Sequence, residues 1–197
     1  MGYSVGPATL KATVRFILER APHYDWTLQG LGMLRLGLPG NRRLHVWDAE
    51  YATKTGASAM HTHPWAFTSL VVAGRIKNRR FVEDVQGDVY WRQRVKCGPG
   101  GGLEGEPSTA FLRVLEPETW YWAGDQYSQR ADEIHVSEPL DGTVTILTRI
   151  PGTSPDHAYL FWPVDKTWVS AEARRATAKE VQYITERALE LWFGSSE

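Results

Sequence analysis

Cysteine is almost missing from this chain. Cys97 stands alone among 197 residues, so no intrachain disulfide can form and the composition carries no sign of an oxidising compartment; a cytoplasmic location is the expectation. An excess of either charge sign is missing too, since 22 basic and 23 acidic residues leave a formal net charge of -1. Without a basic face no long-range field draws in nucleic acid or an acidic membrane surface, and neither is expected as a partner. No apolar run approaches the roughly 18 to 20 residues of a membrane-spanning helix. The opening stretch MGYSVGPATLKATVRFILERAPHYDW lacks the basic segment, continuous apolar run and small-residue cleavage site of a secretion signal. The glycine-rich CGPGGGLEGEPS, residues 97–108, lacks the Gly-Lys-Ser/Thr ending that cradles phosphates and is expected to be a flexible hairpin loop. No repeat recurs at a fixed period.

What is present is apolar bulk. Hydrophobic residues make up 42% of the chain and nine are tryptophan, enough to build one core, and the length fits a single domain over residues 1–197. Leu10, Val14, Ile17 and Leu18 recur at intervals of three and four, which predicts a helix over residues 8–21. Thr177 followed by Glu180 is a capping box, and Val181, Ile184, Ala188 and Leu191 share a face before Gly194, which predicts a helix over residues 177–193. Between them run short β-rich segments: MLRLGL, RRLHVWD, AFTSLVVAG, DVYWRQRV, AFLRVL, WYWAG, EIHVSE, TVTILTR and AYLFW. Strands at such spacing predict a barrel or sandwich over roughly residues 30–165, with the helices packed outside. RIKNRRF, residues 75–81, is expected at a solvated strand edge protected by charge. The tryptophans at 120, 122, 162 and 168 are expected to serve packing.

The chemistry concentrates in HTHPWAFTSLVVAG, residues 61–74. Along a strand, side chains at i and i+2 project to one face, so His61 and His63 can present two imidazoles to one point. The surroundings resemble the first motif of the cupin family: glycine, about five residues, His-x-His, three or four residues, glutamate, six residues, glycine. Gly56 stands one position off, the histidine pair fits and Gly74 falls in register, while Phe67 (or Thr68) takes the place of the glutamate. GDQYSQRADEIHVSEP resembles the second motif, with Gly124 and His135 in register and Arg130, Asp132 and Pro139 in place of its proline, second glycine and asparagine. Aspartate tolerates the left-handed turn conformation that the lost glycine suggests. The resemblance covers roughly residues 42–150.

The resemblance implies a mainly β fold, a double-stranded β-helix or jelly-roll-like barrel, with one divalent transition metal held by His61, His63 and His135. Iron(II) is the leading metal, with zinc, nickel or manganese as alternatives, since neutral imidazole serves all of them. A set of three histidines without the glutamate is similar to the thiol dioxygenase branch, which implies a mononuclear dioxygenase-like enzyme acting on a small polar molecule. The alternatives are a metabolite- or metal-binding cupin with a sensing or regulatory role, a zinc, nickel or manganese isomerase, decarboxylase or hydrolase, or a structural or interaction protein whose terminal helices and aromatic surface mediate self-association and whose histidines are incidental. A homodimer fits any of these.

Strand alternation adds Phe67, Ser69 and Val71 to the face of the first pair, where Phe67 and Ser69 would line the pocket, and Glu133 and Ser137 to that of His135. Glu133 is the one carboxylate this places beside the site, as an extra ligand, an acceptor for an imidazole N–H, a general base, or simply an exposed strand-end carboxylate. His45 is expected to be structural, His23 and His157 to sit in exposed loops, and Cys97 to be an ordinary free thiol.

Overall fold

A computed structural model describes residues 6–52, 60–96, 102–115, 118–152, 157–166 and 173–194. The chain is mainly β, with antiparallel sheets and two helices near its ends. Helix α1 (Pro7–Glu19) is followed by a short 3-10 turn at Ala21–His23, then by β1 (Thr27–Gln29), β2 (Leu31–Leu38), β3 (Arg42–Ala52), β4 (Met60–His61), β5 (Phe67–Ala73), β6 (Arg75–Lys96) and β7 (Gly102–Val114). β8 (Thr119–Trp122), β9 (Gln126–Gln129), β10 (Ile134–Pro139), β11 (Val144–Arg149), β12 (His157–Pro163), β13 (Arg174–Arg175) and α2 (Ala178–Trp192) complete it. No helix among the described residues is long and apolar enough to cross a membrane.

The first sheet runs β13-β1-β2-β3-β11-β5-β9. Its two faces differ because alternate residues do. Leu34, Leu36, Leu44, Val46, Val144 and Ile146 face the helices and pack with Val14 and Leu18 of α1 and Val181, Ile184 and Ala188 of α2. Both predicted helices form, and the Thr177–Glu180 capping box is made in both directions. Trp26 anchors the entrance to the sheet, 2% exposed, with its Nε1 donating to Ala21 O at 2.9 Å. The opposite face of the sheet carries Arg43, His45 and Trp47 on β3, Thr145, Leu147 and Arg149 on β11, and Phe67, Ser69 and Val71 on β5.

The second sheet runs β10-β4-β12-β6-β7, with β8 also on β6. β6 pairs β10 along its first half and β12 along its second, while β4 lies between β10 and β12, so the pairings return to β6. Residues 84–87 bulge out of the β6–β7 ladder, since Glu83 and Asp88 both stand against Leu112, and such an insertion bends a strand. Both glycines that fit the cupin register adopt positive φ, Gly74 at 78° and Gly124 at 99°. At Gly74 a Cβ would stand 2.6 Å from Thr143 Oγ1, so conformation and space both exclude a larger residue.

Several local expectations need correction. Asp132 does not adopt a left-handed conformation: among the described residues Asn41 is the only non-glycine with positive φ, and Asp132 is instead paired with Arg130 at 2.9 Å. Residues 102–108 are strand, not loop, because β6 offers a partner ladder as far as Lys96↔Gly102; Cys97 lies outside the described residues. RIKNRRF is no edge, for β10 flanks it on one side and β8 on the other, and Lys77 and Arg79 are neutralised by Glu118 and Glu138. Trp162 is buried as expected, but Trp120 and Trp122 are 40% and 53% exposed, with the Arg75 guanidinium over both rings; Trp168 and Gly56 lie outside the described residues. His157 is a strand residue whose Nδ1 lies 3.1 Å from Arg94 Nη2.

Candidate metal centre

The three predicted histidines converge, two from the segment at the end of β4 and the third from β10. His61 ends β4 and stands directly across the ladder from His135 of β10, where cross-strand side chains share a face. His63 lies just past the strand, its N–H donating to Ala131 O at 3.1 Å. The intervening Thr62 points the other way and locks β12, with its Oγ1 accepting from Tyr159 N at 2.9 Å. One ligand-capable atom from each histidine lies within 4.8 Å of the other two. His63 Nε2 and His135 Nε2 are 3.0 Å apart. Two nitrogens each about 2.1 Å from one cation stand about 3.0 Å apart at a right angle and about 3.4 Å apart at the tetrahedral angle, so this pair already has the spacing of neighbouring ligands.

Protonation favours coordination. Burial, then His61 and His135, then Arg43 and His45 push His63 well below the ordinary imidazole range. Burial, His61 and Arg80 do the same to His135. Both rings are therefore neutral at pH 7 and each keeps a lone pair for a cation.

His135 is also held in one tautomer. Its Nδ1 faces Asn78 Oδ1 at 3.2 Å, and an amide oxygen can only accept, so Nδ1 carries the hydrogen and Nε2 presents its lone pair to the cluster. Asn78 is oriented in turn: its Nδ2 donates to Gln129 Oε1 at 3.5 Å, and Gln129 Nε2 donates to Glu133 O at 3.4 Å. Ser137 Oγ adds a donor to Asn78 Oδ1 at 3.3 Å. Asn78 and Gln129 are 3% and 1% exposed, so these amides have no water to fall back on.

Phe67 takes its place against the site, ring centroids 4.9 Å from His63 and 6.2 Å from His135, and Trp65 lies 4.9 Å from His63. Ser69 is buried beside the Tyr127 hydroxyl, which hydrogen-bonds with both Ser69 and Ser137; burial raises the Tyr127 pKa and keeps it protonated. The Glu133 carboxylate goes elsewhere: Oε1 is 3.2 Å from Arg80 Nε and Oε2 accepts from Arg130 N at 3.0 Å. Among the described residues the cluster of ligand atoms consists of histidines alone. His45 is buried with its Nε2 unpartnered, and burial, Arg43 and Arg35 depress it to about 3.

Sequence reasoning missed Asn78, because a single asparagine among four cations looks like solvated edge, and Gln129, which sits at a strand end and at no matched position of the motif-like segment around it. Alternation along RIKNRRF puts Ile76 and Asn78 on one face, the one signal that was there. The arrangement predicts that Asn78→Leu leaves the fold intact but weakens metal binding about 10- to 100-fold, the usual cost of losing an outer-shell partner. Competition titration with a chromogenic chelator measures this; unchanged affinity would remove Asn78 from the site.

The chain matches no protein-family model, and no curated protein matches it. The class of protein that the fold and site support is thus a sheet-rich protein with a three-histidine cluster able to bind a metal ion, both compatible with a cupin.

Proposed function

We propose that this chain is a metal-binding cupin, a double-stranded β-helix that acts as a mononuclear non-haem iron(II) dioxygenase-like enzyme on a small polar molecule. The observation that carries the reading is the convergence of three imidazoles, two of them held neutral by burial, with no carboxylate among the described ligand atoms. Three protein ligands leave further coordination positions for exchangeable molecules. Bound iron(II) would supply Lewis acidity and a template on which a small substrate and dioxygen meet.

The chain's own groups then have separate tasks. His61, His63 and His135 hold the ion. Asn78, fixed by Gln129, keeps Nε2 of His135 deprotonated and aimed inward. Phe67 and Trp65 wall the site and exclude bulk water, which strengthens every charge interaction inside it. Ser69, Tyr127 and Ser137 form a hydroxyl cluster on the same side as His135. Glu133 is a positioning residue that fixes Arg80, the strand neighbour of His135.

Phe67 also favours a second reading. Phe67 (or Thr68) stands in the sequence where the cupin motif has its glutamate, and the Phe67 ring packs on His63, which suits a non-catalytic cupin that captures a metabolite or metal for sensing. Oxygen uptake by the iron(II)-loaded protein with a panel of small thiols, keto acids and phenols separates the two. The enzyme reading expects substrate-dependent uptake that disappears in the His61→Ala, His63→Ala, His135→Ala triple variant. A flat response together with tight binding of one of the probes would leave the sensor.

A further inference from the structure

The interior face of the first sheet carries charge that nothing among the described residues of that face balances. Arg43 and Arg149 come from neighbouring strands at the same end of the sheet, with Arg43 opposite Leu147 and Arg149 N donating to Asn41 O at 3.1 Å. Their guanidinium carbons lie 5.0 and 4.7 Å from the centroid of the Trp65 ring. Arg35 follows on β2, its Nε donating to Thr27 Oγ1 at 3.1 Å. Among the described residues no carboxylate pairs with any of the three, although Arg79, Arg80, Arg92, Arg113 and Arg187 each have an acidic partner.

Burial first, then repulsion from Arg35 and Arg149, pull Arg43 down to about 10. A half-buried guanidinium that loses water and gains no anion is costly, and three together cost more. Space is available beside Arg149 and Trp65, and next to Arg43 across the ladder. The cross-strand neighbour of Arg43 is Gly37, where a Cβ would meet nothing within 4 Å, and a cleft of about 180 Å³ is lined by Asn41, Trp65, Arg149, Ile150, Pro151 and Gly152. Trp65 both lines this cleft and packs on His63, ring centroids 4.9 Å apart.

We infer that Arg43 and Arg149, backed by Arg35 and stacked on Trp65, form a receptor for a small dianion, a dicarboxylate or a phosphate monoester. A monoanion would leave two cations uncompensated, whereas two negative charges match the forked donors of two guanidinium groups. Anion binding here does not depend on a metal. That the dianion is also the substrate rests on the proposed metal-enzyme reading, since only one indole ring lies between this receptor and His63.

Isothermal titration and thermal shift of the full-length, metal-free chain with inorganic phosphate, succinate and acetate test the inference. Phosphate or succinate is expected to bind saturably and at least about tenfold more tightly than acetate, a difference of about 1.4 kcal/mol or more; which of the two binds better separates the phosphate from the dicarboxylate source. Arg43→Gln and Arg149→Gln are each expected to weaken that binding at least about tenfold, to keep wild-type metal stoichiometry, and to melt no lower than wild type without ligand, because they relieve like-charge repulsion. The triple histidine variant is expected to keep dianion binding, so failure of the metal reading and failure of this one are distinguishable. Absence of saturable binding by both dianions to the wild-type chain, equal binding of acetate, or unchanged affinity in both arginine variants would overturn it.

Discussion

His135→Ala is expected to abolish stoichiometric metal retention. The substitution removes the ring that stands across the ladder from His61 and whose Nε2 is 3.0 Å from His63 Nε2, so two imidazoles remain where three converged. Loss of an outer-shell partner alone costs about 10- to 100-fold in affinity, and removal of a direct ligand exceeds that; the expected fall is more than about 100-fold. Asn78 Oδ1 loses one of its two donors at the same time, keeping only Ser137 Oγ in a buried pocket, so a modest fall in melting temperature is expected to accompany the metal loss. His135→Gln keeps a hydrogen-bonding side chain near Asn78 and separates the effects: stability is largely restored, metal is not. Equilibrium dialysis followed by elemental analysis reads the result. Stoichiometric metal in His135→Ala would mean that the ion is held elsewhere.

Acid instability of the metal-free protein is the second large effect. Burial, with Arg43 and Arg35, holds His45 at about 3 against an ordinary 6.5. Between those values the unfolded chain binds a proton that the folded chain refuses, so stability falls as pH drops below 6.5 and levels off only below about 3. The stabilising side of this balance is complete above pH 6.5. At pH 5.0 the loss from His45 alone is about 2 kcal/mol, a large fraction of the roughly 5 to 15 kcal/mol that holds a domain together. His63 and His135 are depressed in the same direction, also chiefly by burial, and steepen the slope until a metal occupies them. Urea denaturation at pH 7.5 and 5.0 measures it. His45→Leu is expected to lose about one proton's worth of pH dependence, and because Nε2 has no partner among the described residues, to cost little at pH 7.5. An unchanged slope in that variant would show that His45 takes up its proton in the fold.

The site was legible in the sequence where spacing carries the information. The i, i+2 spacing of His61 and His63 brings both rings to one cluster although His63 lies just past β4, and the Thr177–Glu180 box starts its helix. What stayed hidden depends on pairing between distant segments. Asn78 enters the site because β6 lies beside β10 in the register Ser137↔Asn78, and nothing local in RIKNRRF announces a central strand. The arginines over Trp65 come from β3 and β11, with Arg35 behind them on β2, and only the order β2-β3-β11 puts them together. Alternation aimed Glu133 at the cluster, but Arg80 and the Arg130 amide hold its carboxylate instead. Asp132 misled because an alternative existed: an ion pair with Arg130 within an ordinary turn replaced the left-handed conformation.

The central claim is that one cation is shared by His61, His63 and His135. X-ray absorption spectroscopy of the metal-loaded chain tests it most directly. The account predicts one metal per chain with three imidazole nitrogens near 2.0 to 2.1 Å, as such ions bind, falling to two in His135→Ala where any metal remains. A first shell without imidazole scattering, or one identical in wild type and His135→Ala, would contradict it.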